Sequence, residues 1–189
     1  CGTEFDMYNT VPMFRYNAYF GVHTVHYMDL QLHYGQEALP MRSVVTAAIK
    51  TVVAKASTRS RSETHVLNPW TRRLIDKMSS LKFLASIDQD GYPEIIPVIQ
   101  AQTADNQHVI FATSAYGEEL ERIPPEAPVA IFGMSLDMED VLLRGTFEGF
   151  QRRSGIRCGT VSVDWVYNSM PPIPQQIYPE TQVEPITAF

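Results

Sequence analysis

Residues 81–114, LKFLASIDQDGYPEIIPVIQAQTADNQHVIFATS, decide the fold. Leu81 to Ile87 is an apolar, β-prone run, Asp88-Gln-Asp-Gly91 is a turn with glycine where positive φ is wanted, and Pro93 to Thr103 resumes an extended run. Ala104-Asp-Asn-Gln107 turns the chain once more into His108 to Ser114, so the stretch is predicted to form an antiparallel meander of three strands. Pro97 lies inside the second of them. It cannot donate to a ladder, so this strand must bulge, run along an edge, or leave backbone free at that point, which is where a ligand can enter.

Working outward, Val129 to Ser135, Val141 to Phe150 and Val161 to Tyr167 read as three further strands, with Gly145 and Gly149 placed where a barrel strand bends. Between the third and fourth strands, Tyr116 to Ile123 makes one or two helical turns stopped by Pro124-Pro125. Upstream, Asn68-Pro69 is a helix start, with an N-cap asparagine and proline at the first helical position, and Trp70, Leu74, Ile75 and Met78 form its apolar stripe. Val44 to Ala56 repeats apolar residues at helical spacing, with Ser43, Thr46, Lys50 and Lys55 on the other side. The expected fold is mainly β (α+β), a six-stranded antiparallel barrel with a helical N-terminal extension. Residues 1–66 are expected to form that extension, 67–170 the barrel domain, and 171–189 a proline-rich extended tail.

At 189 residues with 44% hydrophobic residues, the chain can bury a substantial core and is not wholesale disordered. No apolar run reaches spanning length, because Lys50 and Lys55 interrupt the best candidate, and no membrane association is expected. The net charge of −6 hides a basic segment, since residues 42–77 carry eight Lys/Arg against Glu63 and Asp76. Without exposed aromatics or a recognised motif beside it, that segment reads as a solvated helical face, and nucleic acid is not an expected partner. Two cysteines make no disulfide framework, so a cytoplasmic location is the default. A chain starting at Cys1-Gly2 reads as processed or trimmed. His23, His26 and His33 lack the Glu or Cys that would complete a zinc spacing, so no metal site is expected.

The order of strand, Asp-x-Asp-Gly turn, GYPEIIPV, hairpin, VIFATS and RGTFEGF resembles the FMN-binding split-barrel family, the pyridoxamine 5′-phosphate oxidase-like proteins, over residues 68–172. The resemblance implies a split barrel that forms a homodimer, holds FMN between subunits, and acts as an oxidoreductase on a small-molecule redox substrate or electron donor. It places Ile96, Pro97, Val98 and Ile99 along the flavin ring. Ala112, Thr113, Ser114, Tyr116 and Gly117 then fall at the ribityl-phosphate arm. Apolar walls suit a flat ring, and hydroxyls and backbone N–H groups suit a phosphate. Where many members carry a basic pair after the third strand, this chain has Tyr116-Gly-Glu-Glu119, so the phosphate needs a cation from elsewhere, with Arg59, Arg61, Arg72 and Arg73 as candidates. A module that holds flavin, haem or another planar ligand without turnover, and an interaction protein with an empty barrel, are the alternatives.

Overall fold

The computed structural model describes residues 3, 27, 29, 30, 40–57, 64–137, 139–168 and 175–180. The chain divides into two compact units, Cys1–Ala38 with Pro171–Ile173, and Leu39–Met170 with Pro174–Phe189. His23, His26 and His33, and the arginines at 59 and 61, lie outside the described residues. The second unit carries everything that follows.

It comprises α1 (Met41–Ala56), α2 (Pro69–Asp76), β1 (Leu81–Ile87), β2 (Pro93–Pro97), β3 (Gln102–Thr103), β4 (His108–Ala112), α3 (Gly117–Leu120), β5 (Pro128–Ser135), β6 (Glu139–Arg153), β7 (Ile156–Asn168) and β8 (Gln175–Tyr178). Every pairing is antiparallel, in the order β2-β1-β5-β6-β7-β4-β3, with β8 added beside β7. The ends of this order, β2 and β3, are consecutive pieces of one segment separated only by Val98–Ala101. The chain itself therefore joins the two ends of the sheet. The fold is mostly antiparallel sheet with few helices, as expected for a split barrel.

The strand count differs from the expected six for two physical reasons. Pro97 ends β2, and a turn closed by Ala101 N–H to the Val98 carbonyl at 2.8 Å separates it from β3, so one run becomes two strands. Gln175–Tyr178, inside the stretch read as an extended tail, pairs with Val166 to Asn168 of β7. The β6–β7 hairpin also runs further than the apolar alternation suggested. Ser154 and Gly155 both have positive φ (48° and 78°), the combination a tight hairpin turn needs.

Alternation along the strands builds two layers of core. Val109 and Phe111 of β4 face the interior with Leu84, Ile131, Leu143 and Phe147, whereas Ile110 and Ala112 face outward beneath α1 with Cys158. β4 reads as a continuous apolar run because both of its faces are covered. α2 starts as expected, with the Asn68 side chain accepting from Thr71 N at 2.8 Å and Pro69 behind it.

α1 turns a different face to the sheet from the one its hydrophobicity suggests. Val44, Ala47, Ala48, Thr51 and Ala54 are buried, whereas Val45, Val52, Val53 and Ile49 (62% exposed) point away. Small side chains let the helix axis approach the strand closely. Thr51 Oγ1 fixes that approach by accepting from Ala112 N at 2.9 Å while donating to the Ala47 carbonyl at 2.8 Å.

Lys82 sits in phase with Leu84 on β1 and is completely buried. Its Nζ donates to the carbonyls of Ile75 (3.0 Å), Lys77 (3.1 Å) and Ala101 (3.2 Å), while its own backbone carbonyl accepts from Val98 N at 2.8 Å. One ammonium thus bonds the Ile75 carbonyl in the last turn of α2 and the Lys77 carbonyl just beyond it, and ties them to the turn that joins β2 to β3.

Candidate functional site

The residues singled out from the sequence fall into two neighbouring pieces of backbone, the Val98–Ala101 turn and the 113–117 loop after β4. Gln100 connects them, its fully buried side chain donating from Nε2 to the Ala112 carbonyl at 3.0 Å. With Thr51 on its N–H, Ala112 has both backbone groups taken by side chains, and the β4 ladder stops there.

Side-chain positions separate the candidates. Ile96, Val98 and Ala112 are buried in the protein's own packing, and the backbone N–H and carbonyl of both Val98 and Ala112 are already engaged within the chain. Pro97, Ile99, Thr113, Tyr116 and Gly117 are half-buried, and Ser114 is exposed. The amides of Ile99 and Gln100, at the corners of the turn, have no hydrogen-bond partner among the described residues, and neither has the buried Gln100 Oε1. In the loop, the amides of Ser114, Ala115 and Gly117 are equally unpartnered. The amides of half-buried Ile99 and Gly117 and of exposed Ser114 are thereby free to meet solvent or a ligand. Tyr116 is held at φ 54°, a left-handed conformation unusual for a bulky residue, and such strain concentrates at ligand-binding loops.

Beside Pro97 the outer face of the sheet is apolar. Pro97, Phe83, Phe132, Leu142 and Tyr167 are cross-strand neighbours in one row over β2, β1, β5, β6 and β7, and Ile95, Ala85, Ala130, Arg144 and Trp165 form the adjacent row. A groove of about 410 Å³ lies there, lined by Phe83, Ala85, Ile95, Ala130, Phe132 and Leu142, with Ile95 66% exposed. At its far end Trp165 and Tyr167 stack in parallel (5.6 Å between centroids), Arg144 lies 4.4 Å over Trp165, and Trp165 Nε1 donates to Gln176 at 2.8 Å.

A larger cleft, about 610 Å³, is lined by Arg73, Leu74, Asp76, Lys77, Asp137 and Glu139. Its charges pair internally. Arg73 meets Glu139 at 3.0 Å, Lys77 meets Asp137, and Lys55 meets Asp76 at 2.6 Å. The Lys77 ammonium holds the Asp137 carboxyl below its ordinary range. This cleft is a clasp between α2 and the β5–β6 connection.

Of the arginines nominated for a phosphate, Arg59 and Arg61 lie outside the described residues, and Arg72 and Arg73 are engaged elsewhere. Arg72 donates to Asn106 at 2.9 Å, on the turn before β4, whereas Thr113 follows that strand's other end, and Arg73 is engaged by Glu139. Among the described residues, Arg157 is a cation that adjoins the loop, its carbonyl accepting from Thr113 N at 3.2 Å. Sequence spacing could not show this, because it requires the β4–β7 register. Cys158, next to it, is buried under α1, and burial raises its thiol pKa with Arg153 opposing, which keeps it protonated and unreactive. Among the described residues, no group of three or more His, Cys, Asp and Glu side chains could hold a metal, and no helix is long and apolar enough to cross a membrane.

No family model and no curated protein matches the chain. Solved structures similar to it include HupZ from Group A Streptococcus, at 18% identity and TM-score 0.48 over 57% of this chain and 98% of that one. A candidate pyridoxamine 5′-phosphate oxidase from Lactobacillus delbrueckii is similar at 19% identity and TM-score 0.45, over 56% of this chain and 97% of that one. An FMN-binding protein from Syntrophomonas wolfei is similar at 8% identity and TM-score 0.42, over 64% and 88% of the two chains.

Proposed function

We propose that this chain is an FMN-binding flavoprotein of the pyridoxamine 5′-phosphate oxidase-like group that works as a homodimer in an oxidoreduction. The observation that carries the reading is the continuity of three features. An apolar groove beside Pro97 leads to a turn with unpartnered amides at Ile99 and Gln100, and that turn is bonded through Gln100 to the loop bearing Thr113 and Ser114. A flat ring fits the groove wall, its polar edge suits the free amides, and hydroxyls with free amides suit a phosphate. FMN, when bound, would supply hydride or electron transfer. The groove lining holds no ionisable side chain, so the chain's own contribution is to orient the ring and exclude water rather than to move protons.

The outer face also supports the dimer. Two rows of mostly apolar residues crossing five strands are a large surface to leave wet, and a second copy of the same face would cover it.

The test is direct. The purified protein should be yellow, release FMN on denaturation as identified by mass spectrometry, and sediment as a dimer. The double variant Thr113→Ala, Ser114→Ala should bind FMN roughly tenfold more weakly, the equivalent of about one net hydrogen bond, in a flavin-fluorescence titration. A colourless protein that takes up no added FMN would refute the reading.

A further inference from the structure

We infer that Arg157 is the cation that recognises the flavin's phosphate, and that Glu121 occupies its guanidinium until the phosphate displaces it. The inference rests on the FMN reading above and adds how this chain handles an anion with carboxylates, not cations, at Glu118 and Glu119.

Arg157 is the second residue of β7, just after the hairpin turn, and its backbone is joined to the loop, its carbonyl accepting from Thr113 N at 3.2 Å and from Thr113 Oγ1 at 3.5 Å. Its guanidinium lies 4.7 Å over the Phe150 ring and bonds the Glu121 carboxylate. Glu121 follows α3, and its N–H donates to the Gly117 carbonyl at 3.0 Å, so the carboxylate sits one helical turn from the loop's unpartnered amides. The ring face fixes the plane of the guanidinium, which suits two-point recognition of an oxyanion. Arg152 lies directly opposite Arg157 across the hairpin, and Arg153 follows it, so the positive field there outlasts the single ion pair.

The Arg157–Glu121 pair is open to solvent, with side-chain exposures of 45% and 50%. Exposed pairs of this kind contribute little to stability, so an arriving dianion meets a cation whose present partner is weakly held. Glu121 is then a competitor, and its charge lowers phosphate affinity while keeping the site ordered.

Flavin-fluorescence titrations of FMN, riboflavin and inorganic phosphate against wild type, Arg157→Met and Glu121→Gln test this. The expected result is a wild-type preference for FMN over riboflavin that falls at least tenfold in Arg157→Met and rises several-fold in Glu121→Gln, with riboflavin affinity unchanged in both. Inorganic phosphate should compete with FMN in wild type and lose that effect in Arg157→Met, and circular dichroism checks that the variants fold. If Arg157→Met keeps the preference for FMN, or wild type shows none while binding both flavins, the inference fails and the flavoprotein reading stands. If wild type binds neither flavin, both fail.

Discussion

Replacing Lys82 with methionine is expected to cost about 3 kcal/mol at pH 7 in a urea unfolding experiment. The side chain makes three bonds to buried carbonyls, and charged bonds of this kind are worth about 1.5–3 kcal/mol each. Burial opposes them, lowering the lysine pKa from 10.5 to about 8 against the attraction of Asp76, a penalty of roughly 3 kcal/mol on the charged form. Methionine keeps the aliphatic part of the side chain but restores none of the bonds, and the carbonyls left without them are the source of the expected loss. The same shift sets a pH dependence. Below pH 8 lysine is protonated in both states. Between about 8 and 10.5 the folded state has released the proton while the unfolded state still holds it. The unfolded state then binds more protons, so stability rises with pH across that window and falls as pH drops back through 8. Methionine should abolish the Lys82 contribution to this slope. A variant as stable as wild type, with the slope intact, would show that the lysine is a bystander.

Gly145→Ala is expected to be at least as severe, costing about 3 kcal/mol or more, or preventing folding. A Cβ at this position would lie 2.0 Å from the Ser162 carbonyl oxygen and 2.9 Å from Val163 Cα, and backbone on a paired strand cannot yield as a side-chain tip can. The register of β6 against β7 shifts between Arg144 and Gly145, and this close approach is what the shift produces. Gly149 is the contrasting case. It needs φ +92°, but a Cβ there would meet only Pro125 at ordinary contact distance, so alanine should cost about 1–2 kcal/mol through backbone strain alone. Thermal melts of the two variants should rank them in that order. Equal and small losses would mean that the bulge is free to relax.

Much of the fold was legible in the residues. The Asp-x-Asp-Gly turn, the Asn68-Pro69 start, the glycines of β6 and above all Pro97 each impose a local constraint that survives in three dimensions. Pro97 did what its missing N–H required and broke a strand. What was not legible depended on register. Lys82 is in phase with Leu84, a sign that it points inward, but only the packing of α2 and the Val98–Ala101 turn around it reveals three waiting carbonyls. Arg157 became a neighbour of Thr113 through the β4–β7 ladder, and no spacing in the chain announces that. For α1, hydrophobicity favoured the valines and isoleucine as the buried side, whereas a closely approaching strand selected alanines and Thr51. For the candidate site, the sequence nominated two backbone segments but not Gln100, the side chain whose hydrogen bond joins them.

Because the two edge strands of the sheet are joined by a tight turn and not by a ladder, this junction can lengthen without breaking any interstrand pair among the described residues. Isotope labelling should find it. The Ile99 and Gln100 amides, though enclosed, should take up deuterium well ahead of their neighbours in β1 and β4, and a ligand that engages them should slow that uptake without altering the rest of the barrel.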